Sequence, residues 1–425
     1  MIAAEVKLWG KRIGAVSIDN DSPYVLFKYD DQFLKTRIQL SPLMMPLSEE
    51  IYQFKTLPLS TFKGLPGLLS DSLPDRYGDQ LIHAWLESQG RTIESFNIIE
   101  RLCYVGKRGM GALEFYPISH RELNVNDDVD INRLVELANE IIHRKENFSA
   151  KDKDQLQDII KVGTSAGGAR AKAIIALNER TGEIKSGQID LGSDFSYWLI
   201  KLDGVDQKEE TSFTRIEYAY YLMAREAKIE MSHSRLLEKD GYYHFMTQRF
   251  DRILNNKGKW EKLHMQTLGA IAHIDYNDPG MMSYERVTHI MYQMGIKLSE
   301  NKQFYRRMVF NVMARNQDDH VKNISFLMNK DGEWTLAPAY DLTYAYNPSG
   351  RWTSMHQMTI NTKRTDFTLD DLMQAANNMK LKVEEANEII RDVQNALYRW
   401  DHFAKMAFVS EEHAQSIKSQ FIFYL

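Results

Sequence analysis

Residues 315–342 constrain the fold of this chain more than any other stretch, because they join two acidic sites to a hairpin pattern. Two hydrophobic runs, residues 324–328 and 334–336, flank a turn that contains glycine. Runs of this kind around a short glycine-containing turn predict a β-hairpin. The hairpin would bring Asp318, which precedes its first strand, close to Asp341, which follows its second.

Asn323 follows Asp318 by five positions, and Asp341 follows the predicted hairpin. This is the spacing of the catalytic Asp and the metal-binding Asn in a kinase loop, with a second metal-holding Asp downstream. Phosphoryl transfer needs a carboxylate that orients the attacking hydroxyl, and oxygen ligands that hold Mg²⁺ against the phosphates. The segment therefore predicts both sets, and the spacing leaves Asp319 without a role. A solvated acidic loop beside a surface hairpin is the alternative.

Length and composition limit the possible classes of protein. The 425 residues predict two or three structural units. A net charge of −5 and a pI of about 6.2 argue against a stand-alone nucleic-acid binder, which is usually basic. The single Cys103 excludes an intrachain disulfide, and its neighbours predict a half-buried strand that packs the thiol. No signal-peptide pattern and no run near the ~18 apolar residues of a membrane span is visible, so we expect a cytoplasmic protein.

The pattern of apolar residues divides the chain into three regions. Residues 1–117 predict a β-rich subdomain with some helix, and residues 118–250 predict a β-rich N-lobe that contains a glycine loop. Residues 251–425 have mainly helical periodicity and predict a helical C-lobe. Within it, residues 262–272 are predicted as a helix with His264 near its start.

A Gly-Gly loop at residues 162–172 leads into an apolar run. Glycine lets backbone N–H groups approach phosphate oxygens, although the Gly-Lys-Ser/Thr ending of a Walker A loop is missing. A plain hairpin loop is the alternative. The order of parts favours phosphate binding, because Lys201 at a strand end, Glu217 in a predicted helix and then Asp318 follow, as in a kinase-like fold. The strand leaving into residues 248–250 would then be the hinge that meets adenine.

Together these segments resemble the HipA family of bacterial serine/threonine kinases, the toxins of type II toxin–antitoxin pairs. The resemblance covers most of the chain. Residues 71–75 and 104–113 resemble the N-terminal subdomain of the family, and residues 165–172 resemble its phosphate loop. Residues 316–323 and 338–342, with the motifs Asp-x-His-x-Lys-Asn and Tyr-Asp-Leu, resemble its two catalytic segments.

The resemblance implies an α+β fold of the protein-kinase-like (PI3/4-kinase-like) bilobal type, with a β-rich N-lobe, a helical C-lobe and an extra N-terminal β-rich subdomain. It implies that Asp318 orients the acceptor hydroxyl, that His320 and Lys322 steady the transferring phosphate, and that Asn323 and Asp341 bind Mg²⁺. The residues predicted to contact ATP are Ser165, Ala166, Gly167, Gly168, Ala169, Lys172, Lys201, Glu217 and, in the hinge, Gln248, Arg249 and Phe250.

Autophosphorylation of Ser165 is also implied, and it would expel the phosphate loop because a charge near −2 repels the ATP phosphates. The neighbouring Thr164 leaves the modified residue ambiguous, and a loop serine bonded to backbone is the ordinary alternative.

The implied activity is that of an ATP- and Mg²⁺-dependent protein serine/threonine kinase. The resemblance implies a toxin that arrests growth by phosphorylating a translation component such as an aminoacyl-tRNA synthetase. Its implied partners are a small helix-turn-helix antitoxin of the HipB kind and, mainly through that partner, DNA. A small-molecule or lipid kinase is the second interpretation. A non-catalytic ATP-binding co-repressor is the third, and the complete catalytic set argues against it.

Overall fold

The structure is a computed structural model that describes residues 2–19, 21–74, 76–117, 128–142, 170–205 and 213–424. Its contacts divide the chain into two units: Met1–Glu210 with Leu237–Gln266, and Thr211–Leu236 with Thr267–Leu425. Antiparallel sheets and helices make up both, which confirms the predicted α+β class. Within the described ranges, no helix is long and apolar enough to cross a membrane.

The strands of the described residues are, in chain order, β1 (Ile2–Leu8), β2 (Lys11–Ile18), β3 (Leu26–Tyr29), β4 (Ile51–Tyr52), β5 (Leu113–Tyr116), β6 (Lys172–Asn178), β7 (Ile184–Ser186), β8 (Phe195–Lys201), β9 (Ser234–Lys239), β10 (Tyr242–Gln248), β11 (Arg252–Leu254), β12 (Trp260–Lys262), β13 (His264–Thr267), β14 (Ser325–Met328) and β15 (Trp334–Leu336).

The helices are α1 (Asp31–Leu34), α2 (Leu59–Phe62), α3 (Gly67–Ser70), α4 (Arg76–Ser88), α5 (Ile98–Val105), α6 (Ile131–Ile142), α7 (Phe213–Glu226), α8 (Leu268–Ala272), α9 (Tyr284–Gln293), α10 (Glu300–Met313), α11 (Leu369–Asn378), α12 (Val383–Tyr398), α13 (Trp400–Met406) and α14 (Glu411–Lys418).

The first unit contains two five-stranded sheets and the two-stranded antiparallel sheet β11-β12. One five-stranded sheet has the strand order β4-β3-β2-β1-β5, and its β1–β2 hairpin turns at Trp9 and Gly10, both at positive φ. The other has the order β7-β6-β8-β10-β9. Side chains from α4, α6, β6 and β8 share one apolar core, which includes Leu81, Leu137 and Trp198. The predicted strands after the glycine loop and around Lys201 are therefore confirmed.

The second unit is built around α10, in which residues 304–313 are all buried. Tyr220 of α7 packs edge-on against the rings of Phe310, Trp400 and Phe421 at centroid distances of 6.0, 5.5 and 6.3 Å. Such edge-to-face pairs stabilise a core beyond the area that they bury. The helical periodicity predicted for residues 251–425 is confirmed here by α9 and α10.

The predicted hairpin of residues 315–342 is confirmed in the second unit. β14 and β15 pair antiparallel with Phe326 opposite Leu336 and Met328 opposite Trp334. In the turn, Asn329 Oδ1 accepts the N–H groups of residues 331 and 333 at 3.0 Å each. The Asn side chain thus holds the turn, as expected of a residue that bonds its own backbone.

Two local predictions are wrong. Cys103 lies in α5 rather than in a strand, because Asn97 and Glu100 form a capping box that starts a helix at residue 98. His264 lies in β13 rather than in a helix, and its strand has alternating burial. The helix begins only at residue 268, where Thr267 Oγ1 accepts the N–H of Ala270.

Candidate active site

The candidate catalytic segment starts where α10 ends. Arg315 has φ +57°, and Asn316 N–H donates to the Asn311 carbonyl oxygen at 3.0 Å. This is the Schellman arrangement, in which one left-handed residue stops a helix and turns the chain away. The Arg315 guanidinium donates to the Gln420 carbonyl oxygen at 2.9 Å and lies over the Tyr346 ring. These contacts offset the strain of a left-handed non-glycine residue and fix the direction of the segment.

Within the segment, Asp318 and Asn323 are held together. Asn323 Nδ2 donates to the Asp318 carbonyl oxygen at 2.9 Å, and Asn323 N–H donates to the His320 carbonyl oxygen at 2.9 Å. Because the amide nitrogen is used in this way, the Asn323 side-chain oxygen is the atom left for a cation. The Asp318 side chain is 47% exposed, so its carboxylate can meet an incoming group.

Tyr340, the residue before Asp341, contacts the same segment. Tyr340 Oη lies 2.6 Å from both the Lys322 carbonyl oxygen and Ser325 Oγ. Asp341 itself has φ +56°, a conformation that a non-glycine residue adopts only when its surroundings hold it there. The tyrosine hydroxyl therefore couples the position of Asp341 to the backbone just before Asn323.

The two predicted metal ligands line one cleft of the second unit. Asn323 and Asp341 lie in its wall together with His320, Asn316 and Arg307. Hard oxygen donors from an amide and a carboxylate are the kind that Mg²⁺ takes from proteins, usually one or two groups completed by water and phosphate oxygens. The donor set therefore fits Mg²⁺. Among the described residues no group of three or more His, Cys, Asp or Glu side chains could hold a metal alone.

His320, in the wall of this cleft, and Lys322 both contact Tyr276, a residue that the sequence did not single out. Lys322 Nζ lies 4.9 Å from the centroid of the Tyr276 ring, and the His320 ring lies 5.6 Å from it. His320 Nε2 is 3.9 Å from Asp318 Oδ1. A cation over an aromatic face is attracted to it and held in place. No local sequence signal marks Tyr276, because its partners lie over forty residues away in the chain.

Asp319, predicted to have no role, is a buried acid with three hydrogen-bond partners. It is 3% exposed, and its carboxylate accepts from Tyr284 Oη at 2.8 Å and from Gln357 N–H at 2.7 Å. His356 Nδ1 lies 2.9 Å from Asp319 Oδ2. Burial would raise the pKa of Asp319, but the charge of His356 and these hydrogen bonds outweigh it and lower the pKa.

In the first unit, two predicted phosphate lysines are cross-strand partners. Lys172 at the start of β6 is in register with Lys201 at the end of β8, and Lys201 is also opposite Phe245. Residues directly opposite on antiparallel strands point to the same face of a sheet. The structure thus places both ammonium groups on one face, although Lys172 is 3% exposed. Glu217 lies in the second unit, on α7, and is 7% exposed.

The predicted hinge, residues 248–250, begins at Gln248, which is the last residue of β10. Arg249 N–H already donates to the Tyr197 carbonyl oxygen at 2.9 Å, and its guanidinium donates to the Asp251 carboxylate at 2.7 and 2.9 Å. Of the two backbone groups of Arg249, the carbonyl oxygen is therefore the one that could meet an adenine. Phe250 follows it directly. The loop residues Ser165, Ala166, Gly167, Gly168 and Ala169 lie outside the described residues, as does Thr164.

The buried Asp251 also reaches into the N-terminal β-rich part of the first unit. Gly111 N–H donates to Asp251 Oδ2 at 2.7 Å, and Arg252 donates to the same carboxylate oxygen at 2.8 Å. Burial alone would raise the pKa of Asp251, but the charges of Arg249 and Arg252 lower it well below its usual value. Burial lowers the pKa of Arg252 to about 10.

The chain matches two protein-family models and is similar to proteins of known structure. The family model of the HipA N-terminal domain matches residues 4–116, and that of the HipA-like C-terminal domain matches residues 164–400. The fold is similar to that of HipA in the structure of the Shewanella oneidensis MR-1 toxin–antitoxin system HipA, HipB and operator DNA complex. That likeness has a TM-score of 0.66 at 16% identity and covers 98% of this chain and 94% of that chain.

The Helicobacter pylori proinflammatory kinase CtkA matches more weakly, with a TM-score of 0.33 at 10% identity over 53% of this chain and 88% of that chain. The fold and the two matched modules define an α+β protein of HipA-type architecture, which confirms the predicted fold class. Because the C-terminal model alone spans more than half of the chain, the protein belongs to the HipA family.

Proposed function

We propose that this protein is an ATP- and Mg²⁺-dependent protein serine/threonine kinase that acts as a growth-arresting toxin. The observation that carries the proposal is the shared cleft of Asn323 and Asp341, beside a half-exposed Asp318 whose carbonyl oxygen holds the Asn323 amide. One amide oxygen, one metal carboxylate and one solvent-facing carboxylate at this spacing are what phosphoryl transfer requires. Membership of the HipA family supports the same activity.

Bound Mg²⁺ would neutralise charge on the transferred phosphate, and Asn323 and Asp341 would hold it there. Asp318 would accept the hydrogen bond of the acceptor hydroxyl and orient it for attack. Lys322, held over the Tyr276 ring, would place a positive charge near the phosphate. In the first unit Lys172 and Lys201 would contact phosphate oxygens, as their shared face of the sheet favours.

The decisive test is transfer of labelled phosphate from ATP to protein. Asp318→Asn should lower the rate by about 10²–10⁴-fold, because the hydroxyl loses its acceptor. Asp341→Asn should also lower the rate of transfer strongly and raise the Mg²⁺ concentration that the remaining transfer requires. Asp331→Asn, in the exposed turn of the same hairpin, is the matched control and should transfer at the wild-type rate. Full transfer by a folded Asp318→Asn protein would refute the assignment.

Mass spectrometry after incubation with ATP separates the candidate acceptors. A protein kinase that modifies its own phosphate loop should carry phosphate on Ser165 or Thr164, and Ser165→Ala should decide between them. Turnover of ATP without any modified protein would instead favour the small-molecule or lipid kinase interpretation. ATP binding without turnover would favour the co-repressor.

The partner is proposed to be a small helix-turn-helix antitoxin, with operator DNA contacted mainly through it. The likeness to a HipA that was solved with HipB and operator DNA supports this choice. A small helix-turn-helix protein encoded beside this chain should co-purify with it and lower its kinase activity. For the substrate, phosphoproteomics of cells expressing wild type or Asp318→Asn should reveal a translation component, such as an aminoacyl-tRNA synthetase, only with wild type.

A further inference from the structure

The segment that follows Asp341 is fastened to the catalytic segment at two points. At its start, Gln317 N–H donates to the Ala345 carbonyl oxygen, and Ala345 N–H donates to the Arg315 carbonyl oxygen, each at 3.1 Å. At its end, Gln357 N–H and His356 Nδ1 reach the Asp319 carboxylate at 2.7 and 2.9 Å. Asp318 lies between these two attachment points in the chain.

The two attachments differ in kind. The first uses backbone groups on both sides, so side-chain changes leave its donors and acceptors in place. The second depends on one buried carboxylate that takes three donors, the third being Tyr284 Oη at 2.8 Å. Removal of one member of a buried charged pair leaves its partners unsatisfied, which costs more than the pair itself contributes. The second attachment is therefore the one that a single residue controls.

We infer that Asp319 is a positioning residue that fixes residues 346–357 against the catalytic loop and thereby sets where the acceptor protein meets Asp318. The inference rests on the proposed kinase function. The fastened segment exposes Trp352 and Met355, each 39% exposed, on the loop between its attachments. A loop whose two attachment points flank Asp318 in the catalytic segment is placed to contact the chain that carries the acceptor hydroxyl. Asp319 does not itself touch the reacting atoms.

Hydrogen exchange tests the attachment without any need for activity. In Asp319→Ala the amide of Gln357 should exchange faster, because its acceptor is gone. The amide of Ala345 should keep its protection, because its acceptor is the Arg315 carbonyl oxygen. Unchanged exchange at Gln357 would overturn the inference, and so would equal acceleration at both amides, which would indicate general loosening.

Kinetics with a protein acceptor tests the consequence. Asp319→Ala should lower kcat/KM for the acceptor by about 10²-fold, since a displacement near 1 Å can cost that much, while KM for ATP stays within about twofold. Asp319→Asn keeps one acceptor oxygen and should restore part of the loss. Asp319→Asn also serves as the variant to measure if the alanine protein does not fold.

Asp371→Ala is the matched control, because Asp371 is also buried, at 6% exposure, and takes bonds from Thr368 N–H, Thr368 Oγ1 and Lys363 Nζ. Asp371→Ala should lose stability but keep its kcat/KM for the acceptor. An equal loss of kcat/KM in Asp371→Ala and Asp319→Ala would mean that Asp319 is merely structural. If wild type itself transfers no phosphate, the proposed function fails, and the exchange measurement still decides whether Asp319 holds the segment.

Discussion

His264 provides the sharpest quantitative prediction, because its burial makes the first unit sensitive to acid. Its imidazole is fully enclosed, and Gln266 Nε2 lies 2.9 Å from its Nε2 and 2.6 Å from the Leu40 carbonyl oxygen. Both amide hydrogens of Gln266 are therefore used, and His264 Nε2 must be an unprotonated acceptor. Burial lowers the pKa of His264 from 6.5 to about 3.

The lowered pKa means that the folded protein excludes a proton that the unfolded chain binds below about pH 6.5. Stability from this group is complete above the unfolded value and is lost as the pH falls toward the folded value of about 3. A pH of about 5 lies roughly 1.5 units below the pKa of the unfolded histidine. Protonation there stabilises the unfolded state, so the free energy of unfolding falls by about 2 kcal/mol.

Urea unfolding at about pH 7.5 and pH 5 measures this loss. His264→Gln keeps an acceptor near the position of Nε2 but cannot be protonated, so its stability should fall less between the two pH values, by about 2 kcal/mol. His289→Gln, at an exposed position of α9, controls for the loss of a histidine as such and should follow wild type. Parallel pH profiles for wild type and His264→Gln would refute the reasoning.

Three further changes test other contacts. Asp251→Ala should cost about 3–5 kcal/mol in urea unfolding, because it leaves buried guanidinium groups without their partner; a loss below about 1 kcal/mol would contradict this. Gly111→Ala should lower the free energy of unfolding by about 1–3 kcal/mol, because Gly111 has φ +76° and a Cβ would lie 2.9 Å from Met265 N. An unchanged midpoint of thermal unfolding would show that the loop relaxes around the new methyl group. Tyr276→Leu should slow phosphate transfer about fivefold, because it removes about 1 kcal/mol of cation–π attraction on Lys322. Tyr276→Phe keeps the ring and is the control. Equal rates for the two variants would argue against the contact.

The sequence predicts those parts of the site whose contacting residues lie close together in the chain. The hairpin follows from two apolar runs around a glycine turn, and its strands form within one residue of the predicted bounds. The bond from Asn323 Nδ2 to the Asp318 carbonyl oxygen spans only five positions. Such spacing is visible in the chain because the partners share one loop.

The role of Asp319 could not be read in the same way. Its partners Tyr284, His356 and Gln357 lie 35, 37 and 38 positions away, so no local pattern distinguishes it from its neighbour Asp318. Burial separates the two acids, and burial is decided by the fold. The strand at His264 was missed because four residues are too few to separate a period of two from the helical period. The capping box at residue 97 was readable and would have corrected α5.

The two attachments of residues 345–357 have a consequence for how the protein could change over evolution. Residues 346–355 form a loop whose ends are fixed by contacts that do not depend on the loop's own sequence or length. The entropy of closing a flexible loop grows slowly, and doubling its length costs roughly 0.6 kcal/mol. New side chains or insertions can therefore be tried in this loop at little cost to the geometry around Asp318. Relatives with different targets would be expected to diverge most there, on a catalytic frame that stays the same.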